Sequence, residues 1–176
     1  MSVAKEYLKS DYFRYNNDPP RYVKKLLKYF RLSQFTRNPF LRLYYRFRFR
    51  IIKSKHGLEI WHNTKIGKGL YLGHPYNITI NEQAVLGENI NMHKGVTIGQ
   101  ENRGSRKGSP KVGNNVWIGI NATVVGKITI GDDVLIAPNS YVNRDIPSHS
   151  VVFGNPCVIT HKDNATLHYI NNTYNG

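Results

Sequence analysis

Between residues 60 and 142 an Ile, Leu, Val or Met recurs at every sixth position, with two interruptions. The runs are Ile60, Ile66, Leu72; then Ile80, Leu86, Met92, Ile98; then Val112, Ile118, Val124, Ile130, Ile136, Val142. Glycine often follows directly, as at Gly67, Gly73, Gly87, Gly113, Gly119 and Gly131. An α-helix repeats every 3.6 residues and a strand every 2, so neither produces this spacing. A hexad of one buried aliphatic and one turn residue describes a parallel β-helix. Three hexads close one triangular coil, and residues about 18 apart stack along its axis.

The chain has 176 residues, enough for one medium domain plus an appendage. The hexads supply about four coils, enough to bury a continuous core. Cys157 is the single cysteine, which excludes an internal disulfide framework and suits a reducing compartment. The N-terminal MSVAKEYLKSDYF lacks the apolar stretch of a signal peptide, and no apolar run approaches the roughly 18 residues of a membrane span. A cytoplasmic protein, peripheral at most to the inner membrane face, is expected.

The net charge of +14 is lopsided, with 15 Lys/Arg against 3 Asp/Glu in residues 1–56. This section reads as basic amphipathic helices. Asp18-Pro19-Pro20 breaks the chain before RYVKKLLKYF, which sets Val23, Leu26, Leu27 and Phe30 on one face. Asn38-Pro39 is an N-cap with proline at the first helical position, and Gly57 closes the next helix. Along that helix Arg42, Arg46, Arg50 and Lys53 form a basic stripe, opposite Phe40, Tyr44, Phe47 and Ile51. Two uses of this section stay open: a helical cap with solvated lysines, and contact with an anionic membrane surface. Aromatic residues between arginines suit a membrane interface, and nucleic acid is not expected as a partner.

The β-helix is expected over residues 57–147. Its first break, after Leu72, places His74 on a bulged corner, and its second yields a polar loop, 99–111, that projects from the prism. Residues 148–176 form a closing turn and a tail whose last ten or so residues are expected to fray or to need a partner. Breaks in a regular repeat are where function is expected. His56 and His62 lie at multiples of six from His74, and His93 sits about one coil above it. A histidine metal site is conceivable from such a stack, but no metal is expected.

GLEIWHNTKIGKGLYLGH, NMHKGVTIGQ and the stretch from VGNNVWIGINATVVGK to VVFGNPCVI resemble the left-handed β-helix hexapeptide acyltransferases, closest to their serine O-acetyltransferase subgroup. The resemblance covers residues 57–160. It implies a left-handed parallel β-helix, acetyl-CoA as co-substrate, and a homotrimer or a dimer of trimers with active sites between neighbouring prisms. It places the general base at His74 and an orienting carboxylate at Glu59. It also implies cofactor contacts at Gly119, Ile120 and Pro138, with Asn143, Arg144 and Lys111 near the nucleotide and its phosphates. GNPC resembles the closing turn, so Cys157 is expected to be structural.

Two departures bear on the acceptor. The family carries Asp before the catalytic histidine where this chain has Gly73, and Arg-His where it has Gly108-Ser109. A glycine cannot grip an ammonium, and Gly-Ser offers no cationic clamp for a carboxylate. Arg106 and Ser109 on the loop, with Gly73, Trp61 and Tyr76, are expected to contact the acceptor, the rings by stacking. The expectation is therefore an O-acetyltransferase acting on a sugar or surface-glycan intermediate, as in polysaccharide biosynthesis. A serine O-acetyltransferase is the alternative, and a non-catalytic trimeric scaffold the reading of another class.

Overall fold

The computed structural model describes residues 2–174. Three helices precede the solenoid: α1 (Val3–Phe13), α2 (Arg21–Phe35) and α3 (Pro39–Lys55). Asn38 caps α3 through its side-chain oxygen, which accepts from the backbone N–H of Phe40 at 3.0 Å and of Leu41 at 3.1 Å. Gly57 ends it with φ +62°, a conformation that glycine adopts without strain.

A mainly-β left-handed solenoid of about five turns follows. One face stacks Glu59–Ile60, Thr79–Ile80, Thr97–Gly99, Thr123–Val125 and Tyr141–Val142 in parallel register. The second face stacks Lys65–Ile66, Val85–Leu86, Lys111–Val112 and Thr129–Ile130. The third runs from Tyr71–Gly73 through Asn91–His93, Val116–Ile118 and Val134–Ile136 to Ser150–Phe153, edged by antiparallel Val158–His161. Five strands on the first face make one more layer than the four coils counted from hexads.

The expected aliphatics form the interior. Ile60, Ile80, Ile98, Val124 and Val142 pair in one ladder, and none is more than 3% exposed. Each such side chain contributes about 1.5–3 kcal/mol by leaving water. Register also measures each coil. Ile80 pairs with Ile98, the regular 18-residue step. Ile60 pairs with Ile80, a step of 20, because the segment carrying His74 adds two residues. Ile98 pairs with Val124, a step of 26, which accommodates the projecting loop.

The helices are clamped to the first coils. Val23, Leu26, Leu27 and Phe30 are buried, as their spacing predicts. Arg31 is fully buried; it donates to both oxygens of Asp11 at 2.8 and 3.0 Å and to the carbonyls of Ile66 (2.8 Å) and Gly67 (2.7 Å). Arg14 donates to the Gly69 carbonyl, to Asn91 and to the Asn171 carbonyl. These two cations are structural parts of the cap and not a solvated face. In contrast, α3 buries only Phe49, while Phe40, Leu43 and Phe47 on its other side are exposed.

The tail differs from expectation. Asp133 accepts from the backbone N–H groups of Ala165 (2.9 Å) and Thr166 (3.0 Å) and from the Thr166 hydroxyl (2.7 Å). The backbone N–H of Tyr174 donates to Asn89 at 3.0 Å. Residues 162–174 therefore fold back along the third face. Its partners lie far away in sequence, so local composition does not reveal the docking. Among the described residues no helix is long and apolar enough to cross a membrane.

Candidate active site

The two extra residues of the first coil form the corner between the third and first faces. His74 opens this corner with φ +51°, a left-handed conformation that glycine prefers and a non-glycine residue holds only when its surroundings impose it. Its side chain is exposed. The Tyr76 N–H donates back to the His74 carbonyl at 2.7 Å, and the Asn77 N–H donates to the His56 carbonyl at 3.0 Å. The Tyr76 ring lies 5.1 Å from that of His56, so α3 braces the corner from below.

The same corner recurs up the prism. The N–H of Gly95 donates to Tyr76, that of Asn121 to Lys94, and that of Asn139 to Ile120. His74 therefore shares one edge with Gly119, Ile120 and Pro138. Gly119 is held to glycine there, because a Cβ would lie 2.6 Å from the Pro138 nitrogen. The backbone edge above His74 consequently stays smooth. Asn143 and Arg144 lie at the next corner, where Arg144 donates to the Cys157 carbonyl at 3.1 Å. Lys111 stands exposed on the second face.

Glu59 lies on the first face, and Thr79 donates to its carboxylate at 3.4 Å. Among the described residues no hydrogen bond joins Glu59 to His74. A coil of 18 residues would stack the two near one corner, but this coil has 20, so Glu59 registers with Thr79. Trp61 sits against α3 with the Lys53 ammonium 5.0 Å from its ring centre. The projecting loop is a small hairpin, closed by paired hydrogen bonds between Glu101 and Gly108 at 2.9 and 3.0 Å. Ser109 donates to Asn81 at 2.9 Å, and the Arg106 carbonyl accepts from the Lys127 N–H. The expected acceptor residues are thus split: Gly73 and Tyr76 flank His74, whereas Trp61, Arg106 and Ser109 lie on other parts of the prism.

His93, expected about one coil above His74, is its neighbour in the fold. Gly73 pairs with it in register, and a Cβ on Gly73 would lie 2.4 Å from its Nδ1 and 2.6 Å from its Cε1. The glycine is therefore the condition for the imidazole above it. Trp117 flanks that ring at 4.9 Å between centres. The His93 Nε2 is enclosed without a hydrogen-bond partner. Burial, then the charge of His74 beside it, pushes its pKa below the usual histidine value, so it is neutral at neutral pH. His93 lines a cavity of about 520 Å³ with Asp18, Tyr71, Trp117 and Tyr169. Asp18 brings a carboxylate into that wall from the break before α2. Among the described residues no group of three or more His, Cys, Asp or Glu is placed to hold a metal ion.

The prism, its hexads and the histidine corner define a left-handed hexapeptide-repeat protein. The family model described as "Bacterial transferase hexapeptide (six repeats)" matches residues 109–144. A Staphylococcus aureus serine acetyltransferase is 38% identical over 107 residues, covering 61% of this chain and 50% of that protein. The Helicobacter pylori serine acetyltransferase is 36% identical over 107 residues, covering 61% and 63% respectively. Among solved structures, Neisseria gonorrhoeae serine acetyltransferase in complex with serine superposes with a TM-score of 0.68 at 28% identity, over 89% of this chain and 69% of that one. The matched region spans about half the length of the Staphylococcus relative, and between 32% and 63% of the curated relatives as a group. The chain has the left-handed β-helix fold with hexapeptide repeats and is similar in sequence and structure to the serine acetyltransferases that share it.

These relatives overturn the expected sugar or surface-glycan acceptor, and polysaccharide biosynthesis with it. Gly73 packs directly under the His93 ring, and Asp18 lines the cavity beside that ring.

Proposed function

We propose that the protein is an acetyl-CoA-dependent serine O-acetyltransferase with His74 as its general base. The observation that carries this reading is the exposed imidazole of His74 on a bulged corner, in a chain closely related to serine acetyltransferases. Acetyl-CoA supplies the activated acetyl group. His74 takes the proton from the serine hydroxyl as that oxygen bonds to the thioester carbonyl carbon. When the carbon–sulfur bond breaks, the imidazolium returns the proton to the departing sulfur. An aliphatic alcohol is a weak nucleophile at neutral pH, and a base in hydrogen-bond reach contributes about 10²–10⁴-fold. Asp18, in the cavity beside His93, is the carboxylate suited to the serine ammonium. Neutral His93 adds no like charge when His74 takes up its proton. The smooth edge at Gly119, Ile120 and Pro138 fits an extended pantetheine arm held by backbone groups. Glu59 is proposed to orient His74 once acceptor and thioester are bound, with Arg106 and Ser109 closing from the loop.

Three prisms side by side would complete the cleft next to His74, and we propose a homotrimer on that ground. The outward aromatic side of α3, rich in arginine, supports a second role for the helical cap, peripheral contact with an anionic membrane surface. Thiol release from acetyl-CoA, measured with serine and with a panel of other hydroxyl compounds, tests the transfer. Serine-dependent release in the native protein, with kcat lowered about 10²–10⁴-fold in His74→Ala, is expected. Undiminished turnover in His74→Ala, or no release with serine, would sink the reading.

A further inference from the structure

A second cavity, of about 400 Å³, opens between the helical cap and the second face of the first coil, at a different edge from His74. Arg46, His62 and Lys65 line it, and no Asp or Glu does. Arg46 makes no hydrogen bond or ion pair among the described residues, and its Nε is enclosed without a partner. Thr64 in the same wall is fully buried, and its hydroxyl also lacks a partner. The nearby Asp11 cannot neutralise this cup, because both its oxygens are engaged by Arg31. The proton of His62 is disfavoured by burial first, then by Arg46, Lys53 and Arg42, with Glu82 opposing. The cup is thus a site of uncompensated positive potential.

An apolar groove of about 490 Å³ adjoins it and shares Arg46 and His62. Leu43 and Phe47 wall this groove, and both point outward from α3 at 67% and 60% exposure; Phe40, one turn earlier, is 83% exposed. Apolar residues on a helix normally face the core. Here the stripe faces away from it, on a helix with six Lys/Arg and no Asp/Glu. A cationic cup opening onto an apolar groove matches an amphiphile with an anionic head. Packing α3 on the α3 of a second copy would oppose two unneutralised cationic surfaces, whereas an anionic bilayer complements this one.

We infer that α3 seats the protein on an anionic bilayer, with a lipid phosphate held between Arg46 and His62, and Phe40, Leu43 and Phe47 in the interfacial layer. This deepens the peripheral-contact reading and does not depend on the transfer chemistry. The full-length protein should co-sediment at low salt with phosphatidylcholine vesicles containing about one third phosphatidylglycerol, and not with phosphatidylcholine alone. Arg46→Gln should weaken binding about fivefold, the equivalent of about 1 kcal/mol per juxtamembrane cation. Lys28→Gln removes an equal charge from the exposed side of α2 and should weaken it by less than half as much. Phe47→Ser should also reduce binding, with its elution volume unchanged. The inference is overturned by any of four results: no pelleting with anionic vesicles, equal losses for Arg46→Gln and Lys28→Gln, dissociation of the oligomer by Phe47→Ser, or saturable binding of inorganic phosphate alone that Arg46→Gln abolishes. Serine-dependent thiol release is followed in the same samples. Its retention in variants that no longer pellet separates the two readings, and lipid binding without thiol release would leave this one standing.

Discussion

Gly73 and His93 compete for one volume, and a double-mutant cycle measures that competition. Gly73→Ala introduces a Cβ 2.4 Å from the His93 Nδ1 and 2.6 Å from its Cε1. The ring has little room to retreat, with Trp117 centred 4.9 Å away and Tyr71 6.4 Å away. The backbone of Gly73 is not left-handed, so alanine brings no strain of its own; by limiting the unfolded chain it would add about 0.4–1 kcal/mol of stability in an open site. Overpacking in a filled site costs about 1–3 kcal/mol. Gly73→Ala alone should therefore destabilise by about 1–2 kcal/mol net. In a His93→Ala background the obstructing atoms are gone, and the same change should be neutral or slightly stabilising. The coupling energy between the two sites should then reach about 1–3 kcal/mol. Urea denaturation of the four proteins, followed by circular dichroism, supplies the numbers. Additivity within about 0.5 kcal/mol would show that the ring does not occupy the glycine's space, and the account of Gly73 would fail.

Asp11→Asn should destabilise the protein by about 3–5 kcal/mol, because it leaves the guanidinium of Arg31 buried without its counter-charge; thermal unfolding provides the check. Asp18→Asn should raise the KM for serine while leaving the KM for acetyl-CoA nearly unchanged, and initial-rate kinetics with each substrate varied separately would show whether it does. The tail should undock in acid. Burial works to raise the Asp133 carboxyl, but hydrogen bonds from Thr166, His149 and Ala165 outweigh it and hold the group below its ordinary 3.8. A folded-state pKa below the unfolded one contributes stability in full above pH 3.8 and loses it as pH falls through the folded value. Amide exchange at Ala165 and Thr166 should therefore accelerate below that pH, well before the solenoid amides respond. Simultaneous loss of both would contradict the local docking.

The hexad made the interior legible before any coordinate. Ile80, Met92 and Val124 had to point inward, because a six-residue period has only one way to bury an aliphatic at each step. Asn38-Pro39 announced α3, since capping is a local matter of one side chain and the next turn. His74 was visible as an interruption of the pattern. The partners of these residues were less legible. A two-residue insertion lengthened the first coil and set Glu59 opposite Thr79. Trp61, which carries a ring suited to stacking on an acceptor, has the Lys53 ammonium of α3 5.0 Å from its ring centre, a contact its own neighbours in sequence do not predict.

From residues alone, then, came the triangular solenoid, the core ladder, the helical cap and the histidine at the bulge, all of which follow from periodicity or from neighbours within a turn. Only the folded chain brought Asp18 and His93 to one cavity wall, tied Arg31 to Asp11, laid the tail along the third face and turned the apolar side of α3 outward. Those juxtapositions join segments far apart in sequence. They depend on how many residues each coil takes and on which side of the prism the cap docks, and both are settled by packing over the whole molecule.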